Sequence, residues 1–274
     1  MVAPASRIGE EVPAAMQALV GSLYPDGRVE VVFHPQCFGA DGHFAGSDVA
    51  RADAFVDVAN DPAFDALWWA KGGYGSGRLI ETVLPRLGPA ARAKAYLGYS
   101  DAGAMLSALY GNGFARVAHG PMTHEVVKAG GETACARALS WLVERSTAAL
   151  EPSVADGKTI AFNMAILSSL IGTPWLPDLT GHVLMLEEIA EHLYAIDRMM
   201  FHITSTPALR RVAGLRLGRC NAVPDNEPAF GRTPEEIARD WCARSGIAFL
   251  GAADIGHDPD NKVVPFGELA SWRA

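Results

Sequence analysis

No window of the 274-residue sequence reaches the ~20 consecutive apolar residues that a membrane-spanning helix needs. The opening Met-Val-Ala-Pro-Ala-Ser has no basic stretch leading into an apolar one, so no secretory leader is visible and a cytoplasmic protein is expected. Cysteine is scarce. Cys37, Cys135, Cys220 and Cys242 are scattered, with no Cys-x-x-Cys pair, which argues against a zinc ribbon and a disulfide framework and predicts buried free thiols. Positive charge is in deficit: 23 Lys and Arg against 31 Asp and Glu give a net charge of −8. That balance disfavours nucleic acid or an anionic membrane surface as the main partner. Internal repeats and low-complexity runs are also missing, which excludes solenoids and disordered linkers.

What remains is a chain with 49% hydrophobic and 20% charged residues, enough apolar material for one large or two modest cores. Helical periodicity marks "VPAAMQALVGSLY", "VARADAFVDVA", "RLIETVLPRL", "DAGAMLSALYG" and "CARALSWLVERS". Short apolar runs between them, "RVEVVF", "ALWWA" and "KAYLGY", read as strands, and Val2 to Ala5 as the tail of another. This alternation predicts a parallel sheet with helices on both faces. Pro152, Asp156 and Gly157 then interrupt the pattern, which places a boundary between residues 1–150 and 157–274. The second half is more mixed, with "HVLMLEE" and "GLRLGRC" as strands and "YAIDRMMFHITST" and "TPEEIARDWCARSG" as helices. Thr233, Pro234 and Glu236 give the last of these a capping-box start. "IAFLGAADIG", "KVVPFG" and "ELASWRA" read as short β segments.

Four stretches could carry chemistry. Ser100 stands where "YLGY" gives way to a helix, at the carboxyl end of a predicted strand. There its Oγ would be exposed and the amide of Asp101 could stabilise an oxyanion. The alternative is that Ser100 merely caps the helix. "KGGYGSG", also between strand and helix, lacks both phosphate-loop and dinucleotide spacing. It reads as an oxyanion or carboxylate loop, or as a plain tight turn. Glu187 and Glu188 end an apolar strand, so one carboxylate should face inward, where it could orient a histidine, and the other should face solvent; otherwise both are solvated or cap the next helix. His257, in "DIGHDPDN", could be a general base held by turn residues, or only surface. Asp254, Asp258 and Asp260 lack EF-hand spacing, and His182, His192 and His202 lack compact ligand spacing, so no metal is expected.

Together these stretches resemble the LD-carboxypeptidase family of serine peptidases, which also contains the microcin C immunity peptidases. The resemblance runs nearly end to end: "VAPAS", "FAGSDVARADAFVDVANDPAFDALWWAKGGYGSGRLI", "LGYSD", "AHGPM", "LIGTPWLPDLTGHVLMLEEI" and "IGHDPDNKVVPFG", in that order. The resemblance implies an α/β fold. An N-terminal parallel-sheet sandwich of Rossmann-like type would carry Ser100, and a smaller β-rich α/β domain would carry Glu187 and His257. It implies Ser100 as nucleophile, His257 as its base and Glu187 as the carboxylate orienting the histidine. Backbone amides of Asp101 and Gly73 would hold the oxyanion. Lys71, Arg78 and Asn163 are candidates for substrate binding. The implied reaction needs no cofactor. It releases terminal D-alanine from a murein tetrapeptide in cell-wall recycling, and a homodimer is implied.

The sequence departs from the family pattern in three places. Lys71 replaces an arginine before Gly-Gly-Tyr-Gly, Ala161-Phe162-Asn163 replaces Gly-Gly-Asn, and Met1 lies almost at the Ala-Pro. A single ammonium cannot reproduce a planar bidentate fork, and a ring at Phe162 would reshape the pocket. With Trp68 and Trp69 it could line an aromatic site, which keeps open a peptidase acting on a peptide–nucleotide antibiotic. A non-catalytic carboxylate-binding protein on the same fold is the third reading.

Overall fold

The computed structural model describes residues 1–272. In chain order its helices and strands are α1 (Glu11–Leu23), α2 (Asp48–Asn60), β1 (Ala66–Trp68), α3 (Ile80–Val83), α4 (Pro89–Arg92), β2 (Ala95–Gly98), α5 (Ala102–Gly111), β3 (Val117–His119), α6 (Gly131–Glu144), β4 (Thr159–Asn163), α7 (Met164–Leu170), β5 (Val183–Ile189), α8 (Leu193–Ser205), β6 (Gly214–Asn221), α9 (Pro234–Ser245), β7 (Phe249–Ala252) and β8 (Val264–Pro265). The strands form two sheets. The first has the order β1-β2-β3-β8, parallel except for β8, and the second is the all-parallel β4-β5-β6-β7.

Alternation along the strands explains the layers. Leu67, Tyr96 and Val117 point to one face of the first sheet, where α2 and α5 pack. Trp68, Leu97 and Ala118 point to the other, toward α1 and α6. In the second sheet Ile160, Phe162, Leu184 and Leu186 continue the first face and join the apolar sides of α7, α8 and α9. The same apolar layer therefore runs under both sheets. The sheets are also stitched directly: Thr159 and Gly267 exchange two backbone hydrogen bonds of 3.0 and 2.8 Å, and the Thr159 hydroxyl donates to the Pro265 carbonyl at 2.7 Å. The last strand thus leaves the second half of the chain and pairs with β3 of the first sheet.

Several expectations are corrected. "RVEVVF" is not a strand. Its alternate residues Val29, Val31 and Phe33 lie on the core, but no neighbouring strand supplies a ladder, so the period of two reports one-sided burial alone. "RLIETVLPRL" is broken into short 3-10 and α turns, with Pro85 removing a donor. Residues 269–272 form a 3-10 turn where "ELASWRA" suggested a β segment, whose last two residues lie outside the described ones. Val2 makes only an isolated parallel bridge to Trp69. By contrast, α9 starts as its sequence predicts, with the reciprocal Thr233–Glu236 capping box in place. The four cysteines are free; Cys37, Cys135 and Cys242 are buried and Cys220 is half-buried.

Candidate active site

Ser100 lies two residues after the end of β2 and two before the start of α5. Its φ of +58° is a left-handed conformation that a β-carbon disfavours by about 1 kcal/mol or more. A serine seldom occupies this region unless the surroundings hold it there. Ser100 does not cap α5: Asp101 occupies the cap position, and the Ser100 carbonyl, not its hydroxyl, accepts the Gly103 amide at 2.9 Å. Among the described residues the Ser100 hydroxyl makes no hydrogen bond within the protein, so Oγ is free to react.

The glycine loop is fastened to the same turn by a residue whose side-chain role motif reading missed. The carboxylate of Asp101, buried at the start of α5, accepts the Gly75 amide at 3.0 Å and the Ser76 amide at 2.8 Å. Burial pushes its pKa up, against the pull of those donors and of Arg51. Gly72 lies so close that a Cβ there would sit 3.6 Å from Ser100 Oγ. Gly73 has φ +113°, and a Cβ there would collide with the Ser6 hydroxyl, so only glycine fits. Neither the Gly73 nor the Asp101 amide meets an acceptor among the described residues; Asp101 follows Ser100 in the chain, and Gly73 follows Gly72, the glycine beside Ser100.

Glu187 is fully buried near the end of β5, and its Oε2 lies 2.5 Å from His257 Nδ1. Seventy residues separate the two in sequence. The bond fixes the tautomer, with Nδ1 protonated and Nε2 presented outward. The imidazole packs against the Tyr99 ring, centroid to centroid 4.7 Å, and Tyr99 immediately precedes Ser100. His257 bonds Glu187 through Nδ1 and Asn221 through its amide, and among the described residues it has no hydrogen bond to Ser100. Bonds of that kind commonly tighten only around substrate.

Other expectations fare differently. Glu188 was to face solvent if Glu187 faced inward; instead both are buried. A register shift between Leu186 and Glu188 breaks the alternation. Glu188 accepts from the Asn163 side chain at 2.6 Å and from the amides of Ala165 and Ile189 at 2.9 and 2.8 Å. Asn163 caps α7 through Oδ1 and bonds Glu188 through Nδ2, so both ends of its amide are used internally. Arg78 is likewise engaged: its guanidinium forks onto Asp48, with N–O distances of 2.6 to 3.1 Å. Lys71 is half-buried and forms no ion pair among the described residues. Phe162 does not reshape a pocket. Its ring is buried, 5.7 Å from that of Phe266, and Trp68 and Trp69 are core as well. An exposed aromatic surface lies at Tyr74 in the glycine loop, where the ring packs with Phe44 and His43. A cavity of about 880 Å³ opens beside Arg216, Arg219 and Phe249, and none of Ser100, Glu187 or His257 lines it. Among the described residues, no group of three or more His, Cys, Asp or Glu side chains could hold a metal ion and no helix is long and apolar enough to cross a membrane.

Behind Tyr99 lies His119, with its ring 5.5 Å from that of Tyr99. Burial pulls its pKa from 6.5 down to about 4. In the unfolded chain it takes up a proton near 6.5, so between these values the unfolded state binds more protons and stability falls as pH falls. His119 contributes at most about 1.4 kcal/mol per pH unit to that slope. Buried Glu125 and Glu188, whose pKa values burial raises, contribute with the opposite sign. The expected result is therefore a difference: His119→Gln flattens the acid limb of the stability curve between about pH 6.5 and 4 relative to wild type. Urea melts across that range measure it.

Fold and site define the class first: an α/β protein of two parallel-sheet cores, with a strained serine at a strand-to-helix turn beside a glutamate–histidine pair. Comparison with known proteins narrows this. Residues 1–120 match the family model of the LD-carboxypeptidase N-terminal domain, and residues 156–271 match that of the LD-carboxypeptidase C-terminal domain. A Bacillus subtilis protein named "Probable murein peptide carboxypeptidase" is 30% identical over 252 residues, covering 84% of this chain and 75% of its own. The murein tetrapeptide carboxypeptidase of Pseudomonas aeruginosa is 25% identical over 290 residues, covering 98% and 91%. The crystal structure of muramoyltetrapeptide carboxypeptidase from Oxalobacter formigenes superposes with a TM-score of 0.76 at 22% identity, over 97% of this chain and 92% of that one. The microcin C7 self-immunity protein MccF, in complex with aspartyl sulfamoyl adenosine, superposes at 0.77 with 17% identity, over 97% and 90%. The chain belongs to the LD-carboxypeptidase family, and its activity class is that of a carboxypeptidase.

Proposed function

We propose that this protein hydrolyses the L,D-peptide bond of a murein tetrapeptide and releases the terminal D-alanine, with Ser100, His257 and Glu187 as the triad. The observation that carries this reading is the 2.5 Å contact between His257 Nδ1 and Glu187 Oε2, which lies against the residue preceding an unencumbered, left-handed Ser100. His257 Nε2 takes the Ser100 proton as Oγ attacks the carbonyl before the last residue. Glu187 stabilises the imidazolium that forms. The amides of Asp101 and Gly73 receive the oxyanion, and the proton passes to the departing amine. Water then attacks the acyl-serine with the same imidazole as base. An exopeptidase must also bind a free carboxylate. Lys71 suits that role better than Arg78, which Asp48 already holds. We assign residues 1–150 and 157–274 as the two domains, a division supported by the placement of the two family matches. The family resemblance supports a cytoplasmic homodimer.

Incubation of the purified protein with murein tetrapeptide should release stoichiometric D-alanine and tripeptide. No release would count decisively against this substrate. A second reading, cleavage of a peptide–nucleotide conjugate, is favoured by the exposed Tyr74 with Phe44 and His43, which offers a stacking surface for a planar group. Faster turnover of a peptidyl-adenylate analogue than of the tetrapeptide would select it.

A further inference from the structure

We propose that His119 and Asn261 form a tether that sets the separation between the Ser100 turn and the His257 loop. Both are positioning residues, and the inference rests on the reading of Ser100 and His257 as nucleophile and base. His119 ends β3, where its register partner on β2 is Gly98, two residues before Ser100. Asn261 lies in the loop after β7, four residues beyond His257. His119 Nε2 and Asn261 Oδ1 are 3.1 Å apart across 142 residues of sequence, and both side chains are buried. The same Oδ1 accepts the amide of Gly256 at 3.2 Å, the residue immediately before His257. That atom must therefore be the oxygen, and His119 Nε2 carries the proton.

The loop is gripped from two sides. On the second sheet, Asn221 Oδ1 accepts the His257 amide at 2.8 Å, Asn221 Nδ2 donates to Asp258 at 3.1 Å, and Arg219 bridges Asp254 and Asp258. These bonds orient His257 relative to Glu187, on the neighbouring strand of the same sheet. On the first sheet, the grip comes from His119 and from Arg137 of α6, which donates to the carbonyls of Pro259 and Asn261 at 2.8 Å each. The pairing of β8 with β3 anchors the end of this loop on the first sheet, and the side chains of His119 and Arg137 extend that hold back toward His257. The Tyr99 ring lies between the two histidines as a spacer, 5.5 Å from His119 and 4.7 Å from His257. Displacing a catalytic group by about 1 Å can cost on the order of a hundredfold in rate.

The test compares His119→Leu, which removes the donor, with His119→Gln, which keeps an N–H near the position of Nε2. His119→Leu should lower kcat by about 10- to 100-fold with KM changed less than about threefold. His119→Gln should recover most of the rate. Amide hydrogen exchange at Gly256 and His257, which needs no substrate, should accelerate about tenfold in the leucine variant and not in the glutamine one. Asn261→Ala should reproduce the loss from the loop side, and this arm stands if His119→Leu does not fold; where both fold, the double variant should be no worse than either single. Unchanged exchange and kcat in a folded leucine variant, or equal loss in the glutamine variant, would overturn the tether. Retained turnover in Ser100→Ala would instead overturn the catalytic reading, while exchange would still decide whether the tether exists.

Discussion

Ser100→Ala should abolish turnover, lowering kcat/KM by at least about 10⁴-fold, and should erase labelling by a fluorophosphonate. The size follows from the role: without Oγ there is no acyl-enzyme, and only the oxyanion donors and substrate binding remain to accelerate attack by water. The cost to stability should be small, within about 0.5 kcal/mol. The hydroxyl makes no internal hydrogen bond among the described residues, and alanine is strained by a φ of +58° to much the same degree as serine. Substrate affinity should survive, because the glycine loop is held by Asp101 and not by Ser100. Mapping of the modified residue in the wild type makes the result specific. Labelling at another serine, or full turnover in the variant, would remove Ser100 from the chemistry. Unlabelled wild type with intact ligand binding would point to a binding protein on this fold.

The parts of this site that were legible in the sequence are those that local pattern controls. The strand–serine–helix order around Ser100 follows from a short apolar run meeting a helical period, and the capping box of α9 follows from Thr233 and Glu236 three positions apart. Family motifs added the partners. What stayed hidden depends on register and on long-range pairing. The period of two in "RVEVVF" is real, but nothing in it says that no strand lies alongside. Glu188 reads as the outward neighbour of Glu187, and one shift in the β5–β6 register buries both. Phe162 reads as an intrusion into a pocket, yet β4 turns it onto Phe266 and against Gly103, deep in the shared apolar layer. Arg78 looks like a free cation until Asp48, thirty residues earlier, is brought beside it. The His119–Asn261 contact spans 142 residues and involves two types common in any polar loop, so no local signal could have paired them.

Glu187→Gln should separate activity from stability in opposite directions. The carboxylate is wholly buried, with Oε2 on His257 Nδ1 and Oε1 without a partner among the described residues. A glutamine can place its NH₂ group opposite Nδ1, which forces the wrong imidazole tautomer and turns Nε2 into a donor that cannot accept the serine proton. Alternatively it keeps its carbonyl on Nδ1–H and puts the NH₂ group in the unpartnered position; the tautomer is then right, but the charge that stabilises the imidazolium is gone. Both outcomes lower kcat, by on the order of 10³ to 10⁴-fold, with KM little changed. Removing a desolvated charge should leave the melting temperature equal or higher, because functional carboxylates of this kind are held at a cost to the fold. Glu187→Asp, one methylene shorter, keeps the charge but loses reach, and should fall between wild type and the glutamine variant. Kinetics and thermal melts of the three proteins check this together. Wild-type kcat in the glutamine variant would show that His257 needs no carboxylate behind it, and a melting temperature that fell with activity would make Glu187 a structural residue whose loss merely unfolds the site.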